Sequence, residues 1–323
     1  MSEPVPAPRN AAAPSVSIAT TVLNEEQVLP QFLQRALAVL EELPGSGHEL
    51  VVVDDGSTDG SLAFLEAACA EDERLRLVVL SRNFGHQRAL RCAMDHCAGD
   101  VVVLMDADLQ DPPETIATFL EQYRAGYDVV YARRVGRKEG LLLRCAYFLF
   151  YRLLAVQSQL RLPLDAGDFS LLSRRVVEAM AAAPESHRYL RGLRAWVGFP
   201  QIGIDVERAA RAAGCTKYGP LKLLSLAGDG LFAFSTLPLR LASAMGCAAM
   251  TLATGFGVYS LYAKFVQPET PVGFTALILA IVFLSGVQLL SLGVIGEYLG
   301  RVYDEVKARP PYVVQKRVGG ELK

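Results

Sequence analysis

The sequence predicts an α/β fold: a mostly parallel sheet with helices on both faces, extended by membrane-interfacial helices and two C-terminal transmembrane helices. Three observations carry that prediction. Short β-branched runs alternate with amphipathic helical stretches over residues 15–131. The strand runs are apolar throughout, which is how strands read when they are buried on both faces. The apolar excess, 51% of 323 residues with mean hydropathy +0.26, is concentrated in the C-terminal third, where two stretches are long enough to cross a bilayer.

Taken in order, SVSIATTVL (15–23) is a strand, QVLPQFLQRALAVLEEL (27–43) a helix and ELVVVDD (49–55) a strand. SLAFLEAACAED (61–72) is a helix, LRLVVLSR (75–82) a strand and QRALRCAMDHCA (87–98) a helix. VVVLMDAD (101–108) is a strand, PETIATFLEQYRAG (113–126) a helix and YDVVYARR (127–134) a strand. In such sheets ligands bind at the carboxyl ends of the strands. Asn24, Glu25, Asp54, Asp55, Asn83, Asp106 and Asp108 stand there.

GLLLRCAYFLFYRLLAVQSQL (140–160) is apolar almost all round but carries Arg144 and Arg152. Spanning would bury each arginine at about 2.5 to 3.5 kcal/mol, whereas an interfacial helix lets both reach lipid phosphates. Residues 241 to 263 and 272 to 295 carry no formal charge and read as transmembrane helices. Lys217, Lys222 and Arg240 precede the first, and Arg301, Lys307, Arg309, Lys316 and Arg317 follow the second. The positive-inside rule then puts the large domain and both termini in the cytoplasm, at the inner membrane.

The expected organisation is therefore a disordered Pro/Ala tail (1–14) lacking the features of a signal peptide, and a cytoplasmic catalytic domain (15–235) with interfacial helices near 140–160 and 220–235. A two-helix transmembrane domain (236–300) and a cytoplasmic basic tail (301–323) complete it. Gly246, Gly255, Gly257, Gly286, Gly293 and Gly296 permit close packing of the spans, and with it a homo-oligomer. A net charge of -2 gives no pull toward nucleic acid. The six cysteines form no C-x-x-C pair and the four histidines have no zinc spacing, so the thiols read as buried and reduced.

Successive strand side chains alternate, so Asp106 and Asp108 are expected on one side at the end of their strand. Two carboxylates on one face repel unless a cation joins them, and hard divalent ions take such oxygens together with a diphosphate. A pair of solvated strand-end aspartates is the alternative. Asp111 reads as a helix N-cap, with Pro112 at the first helical position and Glu114 at the third. Asp54 and Asp55 end another strand, where a carboxylate suits a ribose hydroxyl or base N–H, and Ser57 or Asp59 caps the next helix. No G-x-G-x-x-G or G-K-[ST] is present to cradle phosphates by backbone alone, which leaves that task to a metal.

LNEE (23–26), VVVDDGSTDGS (51–61), RNFGHQRAL (82–90) and DADLQDPPE (106–114) resemble the nucleotide-sugar half of family 2 glycosyltransferases of GT-A fold. GDFSLLSRR (167–175), RYLRGLRAWVGF (188–199) and RAAGCTKYGPLKL (211–223) resemble the polyisoprenyl-phosphate branch, which includes bactoprenol glucosyltransferases and dolichyl-phosphate mannose synthases. The resemblance implies that Thr20, Asn24, Glu25, Asp55 and Asn83 hold the nucleotide. It implies that Asp106 and Asp108 bind Mg²⁺ or Mn²⁺ and the diphosphate, that Ala107 belongs to the nucleotide-sugar site with Gln110 beside the donor sugar, and that Asp168 is catalytic. Where the family often has Pro and Tyr before the Asn-Glu pair, this chain has Thr21 and Leu23.

A lipid-phosphate acceptor needs cations, and Arg133, Arg137, Arg191, Arg211 and Lys217 are the candidates. A phosphate monoester with a second pKa of about 6 is already a dianion at neutral pH. Asp168, with Asp165 as its competitor, is thus expected to orient the acceptor or stabilise an oxocarbenium-like state rather than to remove a proton. The expected reaction is inverting transfer of a hexose from a nucleotide-diphosphate sugar, UDP-glucose by resemblance, to polyprenyl (undecaprenyl) phosphate. Alternatives are a GDP-mannose-dependent mannosyltransferase, a processive polysaccharide synthase, disfavoured by two spans and no Q-x-x-R-W motif, and a non-catalytic membrane scaffold.

Overall fold

In a computed structural model the chain is described at residues 6–9, 13–134, 166–183, 190–206, 237–266 and 273–320. The β-α alternation expected of 15–131 forms as β1 (Val16–Val22), α1 (Leu29–Glu42), β2 (Glu49–Asp54), α2 (Ser61–Glu71) and β3 (Leu75–Leu80). It continues through α3 (His86–His96), β4 (Val101–Leu104), α4 (Thr115–Arg124) and β5 (Val129–Arg134). Beyond it come β6 (Ala166–Ser173), α5 (Arg174–Ala182), α6 (Leu190–Trp196) and β7 (Gln201–Val206). Two long helices, α7 (Leu237–Val266) and α8 (Phe274–Val306), precede β8 (Val314–Val318).

The eight strands form one sheet in the order β7-β5-β6-β4-β1-β2-β3-β8. Strands β3, β2, β1 and β4 run parallel, β6 is antiparallel between β4 and β5, and β8 closes the far edge antiparallel to β3. Alternate side chains of these strands feed two cores. Ile18, Leu50, Val52, Leu77, Val103 and Leu171 face α1, α2 and α4 on one side; Val51, Val53, Val78, Val102 and Leu172 face α3, α5 and α6 on the other. Burial on both faces is why the strands read as unbroken apolar runs.

Two segments depart from the expected tails. Arg9, within the stretch expected to be disordered, donates its backbone N–H to the carbonyl of Arg124 at 2.8 Å. Its guanidinium bonds the buried Asp128 at 2.6 Å and lies over the Tyr123 ring. A buried carboxylate needs a partner, and Arg9 joins Arg175 in supplying one. At the other end, the expected basic tail contains β8, paired through Leu77↔Val318 and Val79↔Lys316.

The chain divides into two compact units, and the second contains α7 and α8. Both helices are long and apolar enough to cross a membrane, over Leu241–Tyr259 and Phe283–Val306. The second apolar window lies further along than the expected 272–295 and includes the Glu297–Arg301 pair, at 3.0 Å one turn apart. Large apolar side chains such as Phe256, Leu289 and Val306 point outward on these helices. Of the cysteines, Cys69, Cys92 and Cys97 are buried free thiols and Cys247 is exposed on α7; burial pushes the Cys69 thiol up to about 11. Cys145 and Cys215, and the expected interfacial helices at 140–160 and 220–235, lie outside the described residues.

Candidate active site

The loops after β1, β2 and β3 are stitched together by side-chain to backbone bonds. Asn24, in the left-handed region at φ 56, accepts the Thr58 N–H at 2.7 Å through its amide oxygen. The Asn24 N–H in turn reaches the Ser57 hydroxyl at 3.1 Å. The Glu25 N–H donates to the Ser61 hydroxyl at 3.0 Å, and the Glu26 carboxylate accepts the Gly60 N–H at 3.0 Å. Asp54 does the same within its own loop for Ser57. Neither expected cap, Ser57 or Asp59, sits at the N-cap of α2; Gly60 does, and Asp59 reaches the Ser61 N–H from just outside.

Asp55 is buried and accepts two amides from the loop leading into α3, Phe84 at 2.7 Å and Gly85 at 2.9 Å. Burial raises its carboxyl above the ordinary carboxylate value, and those two bonds only partly oppose the rise. The loops approach closely enough that Gly56, at φ 79, could not carry a Cβ without meeting the Asn83 nitrogen at 2.8 Å. Asn83 is exposed on this loop. Thr20, expected at the nucleotide, is buried in β1, its hydroxyl without a hydrogen-bond partner among the described residues.

The aspartates that follow β4 stand on a turn, since the strand ends at Leu104. The expectation of a shared strand face is corrected accordingly. The alternation of exposure persists nonetheless: Met105, Ala107, Leu109 and Asp111 are buried while Asp106, Asp108 and Gln110 are half-buried. The Asp108 carboxylate accepts the Gln110 N–H at 3.1 Å, which helps Leu109 hold φ 58. Burial, followed by repulsion from Asp168, Asp108 and Asp111, pushes the Asp106 carboxyl up, with His86 opposing. Asp111 is not the N-cap of α4. Consecutive prolines at 112 and 113 disfavour helical backbone at the residues before them, so the helix starts at Thr115 and Glu114 instead pairs with Arg35 at 2.7 Å.

Antiparallel register brings β6 to the same edge. Leu104 pairs with Ser170, so Asp168 lies two positions beyond the last pair, level with Asp106. Arg191 of α6 grips the Asp168 carboxylate through Nε and Nη2, each at 2.7 Å. Burial alone would raise this carboxyl; Arg191, assisted by His86 and Arg194, holds it below the ordinary carboxylate range. Arg191 was expected at the acceptor phosphate, and here its bidentate fork is directed at Asp168. Arg133 is exposed on β5 and bonds Asp205 of β7 at 2.5 Å. Arg137, Asp165, Arg211 and Lys217 lie outside the described residues.

One site residue was missed. His86, the first residue of α3, puts Nδ1 3.0 Å from the Thr21 hydroxyl and Nε2 3.6 Å from Asp106. Its position directly after the φ 93 glycine of RNFGHQRAL was visible in the sequence; its partners on β1 and after β4 were not.

The sequence profile of glycosyl transferase family 2 matches residues 17–180, which hold every element of this edge from β1 to Asp168. The uncharacterized glycosyltransferase YkcC of Bacillus subtilis (strain 168) is 43% identical over 311 residues, 95% of each chain. The uncharacterized glycosyltransferase sll0501 of Synechocystis sp. is 40% identical over 95% of this chain and 96% of its own. The bactoprenol glucosyl transferase of Shigella phage SfII is 36% identical over 302 residues, 93% of this chain and 97% of its own. Among solved structures, the mannosyltransferase PcManGT from Pyrobaculum calidifontis aligns over 89% of both chains at 18% identity, with a TM-score of 0.48. Likeness that runs the length of the chain, on a fold with its polar edge where the profile falls, makes this chain a member of glycosyl transferase family 2.

Proposed function

We propose that this glycosyltransferase moves a hexose from a nucleotide-diphosphate sugar to a polyprenyl phosphate at a membrane surface, with inversion at the anomeric carbon. The observation that carries the reading is the presence, in one chain, of a half-buried acidic turn at the sheet's polar edge and two helices apolar enough to cross a bilayer. The likeness to bactoprenol glucosyl transferases, which spans 93% of the chain, supports the acceptor class. The basic flanks of the two helices support a cytoplasmic catalytic unit with both termini on that side.

The donor set fits a hard divalent cation, Mg²⁺ or Mn²⁺. Asp106 and Asp108 offer carboxylate oxygens from one turn; burial first, and then repulsion from Asp168, Asp108 and Asp111, pushes the Asp106 carboxyl up, and a bound cation would favour its ionised form. Among the described residues no three His, Cys, Asp or Glu side chains are arranged to hold a metal unaided, so the diphosphate would complete the coordination. When bound, the ion supplies Lewis-acid stabilisation of the departing nucleotide diphosphate, a contribution of several kcal/mol. Asn24, Glu25 and Asp55 shape the nucleotide end by fixing the loops after β1, β2 and β3, and the exposed Asn83, the half-buried Gln110 and the buried Ala107 are assigned to the nucleotide-sugar site.

Asp168 is held ionised by Arg191 and is a weak base. That suits an acceptor phosphate that is already anionic at neutral pH and needs no deprotonation. We assign Asp168 to stabilising positive charge that develops at the anomeric carbon, and Arg191 to positioning it; Arg133, Arg137, Arg211 and Lys217 are assigned to the acceptor phosphate. The test incubates membranes containing the protein with a panel of radiolabelled nucleotide sugars and undecaprenyl phosphate. Lipid-extractable label from one donor, abolished by EDTA, is expected. Label released only as free sugar, or transfer unaffected by EDTA, overturns the reading.

A further inference from the structure

We propose that His86 is a positioning residue of the donor site, orienting the Asp106 carboxylate from a ring that Thr21 anchors. The inference rests on the metal-dependent reading above and adds to it a residue outside the acidic turn.

Three anchors converge on this imidazole. Its backbone is fixed from β2, because Asp55 binds the amides of Phe84 and Gly85 immediately before it. Its Nδ1 meets the Thr21 hydroxyl at the end of β1 at 3.0 Å. Its Nε2 faces Asp106 Oδ1 at 3.6 Å. An ionised carboxylate only accepts hydrogen bonds, so the nitrogen facing it carries the proton. In the neutral ring Nδ1 is then an acceptor, and the Thr21 O–H donates to it. The Thr21 hydroxyl, able to donate or accept, follows the tautomer that Asp106 favours and steadies the ring edge turned toward it.

At 3.6 Å the contact is electrostatic, and a shift of about half an ångström brings it to hydrogen-bond length. Carboxylates that take a metal are commonly held by such outer partners, whose loss costs about 10- to 100-fold in metal affinity or activity. The bland alternative is a solvated surface histidine, since its side chain is 44% exposed. The two differ in what a shape-matched replacement does. A glutamine amide reaches the position of Nε2; an asparagine amide reaches only that of Nδ1.

The experiment titrates Mn²⁺ into the detergent-solubilised full chain with UDP present, reading bound metal by electron paramagnetic resonance, for His86→Gln, His86→Asn, Thr21→Val and Asp108→Asn. The expected result is Mn²⁺ binding weakened about 10- to 100-fold in His86→Asn, partly restored in His86→Gln and weakened severalfold in Thr21→Val. Transfer assays should show the apparent KM for Mn²⁺ rising more than kcat falls. Wild-type Mn²⁺ binding in His86→Asn overturns the proposal, as does equal weakening by asparagine and glutamine or no effect of Thr21→Val. Wild-type Mn²⁺ binding in Asp108→Asn instead overturns the metal clamp itself, which separates the two failures. Thermal unfolding that matches the parent in His86→Gln removes misfolding as an explanation.

Discussion

The edge formed by the loops after β1, β2 and β3 and the edge formed by β5, β6 and β7 solve the same electrostatic problem differently. On the first, carboxylates and amides are matched to backbone N–H groups: Asp55 to Phe84 and Gly85, Asn24 to Thr58, Glu26 to Gly60. On the second, carboxylates are matched to guanidinium groups: Asp168 to Arg191 and Asp205 to Arg133. A backbone donor cannot leave its place, so the first edge holds one shape before any ligand arrives. A guanidinium on a long side chain can exchange one anion for another, so the second edge can answer an incoming phosphate. On the proposed reading the rigid edge meets the nucleotide and the edge with exchangeable charge meets the acceptor phosphate.

Four substitutions would break or sharpen this contrast. The largest effect is expected between the two edges, at Asp108→Asn, which removes a ligand of the proposed ion. If several kcal/mol of leaving-group stabilisation depend on it, transfer to lipid should fall about 10³-fold, read as lipid-extractable label at saturating donor. On the rigid edge, Asp55→Asn turns an amide NH₂ toward a backbone N–H. A mismatched buried donor costs about 1 to 3 kcal/mol, so the KM for the nucleotide sugar should rise about 10- to 100-fold with a smaller change in kcat. An unchanged KM would show that the loop holds its shape without Asp55.

On the exchangeable edge, Arg191→Gln tests the ionised state of Asp168. In the parent the carboxyl lies below its ordinary value, so whatever Asp168 contributes is present above the usual carboxylate range and is lost as pH falls through the lowered value. Without Arg191, burial is the dominant influence and pushes the carboxyl up. The acid limb of the kcat/KM profile should therefore move to higher pH in Arg191→Gln. An acid limb at the parent position would mean that Arg191 does not control Asp168. The smallest effect is expected at Arg133→Ala, whose partner Asp205 is as exposed as Arg133 itself. Thermal stability should be unchanged, and only the KM for the lipid phosphate should move, about two- to threefold.

Much of the fold was legible because the strands of this sheet are buried on both faces, so their sequences are apolar without a gap. What was illegible depended on residues meeting across long separations. Strand β8 is short, charged at Lys316 and Arg317, and lies on an edge, where one polar face is permitted, so it reads like a tail. The alternation that pairs Asp106 with Asp108 survived the loss of the strand beneath them, since the turn continues the same pattern of burial. The N-cap expected at Asp111 failed on a local rule, the restriction that each of two prolines puts on its predecessor. Asp168 and Arg191 were both singled out, yet their pairing needs α6 to fold back onto the start of β6. His86 needed β1 and the β4 turn to meet above α3.

The placement of β8 also bears on the order in which the molecule can be made. Its five residues follow α8 in the chain, and they cover the edge of β3 through Leu77, Val78 and Val79. During synthesis that edge stays unpaired until both long apolar helices have been translated. An uncovered strand edge is a template for pairing with other chains. A ribosome stalled between α7 and β8 would thus present an open β3.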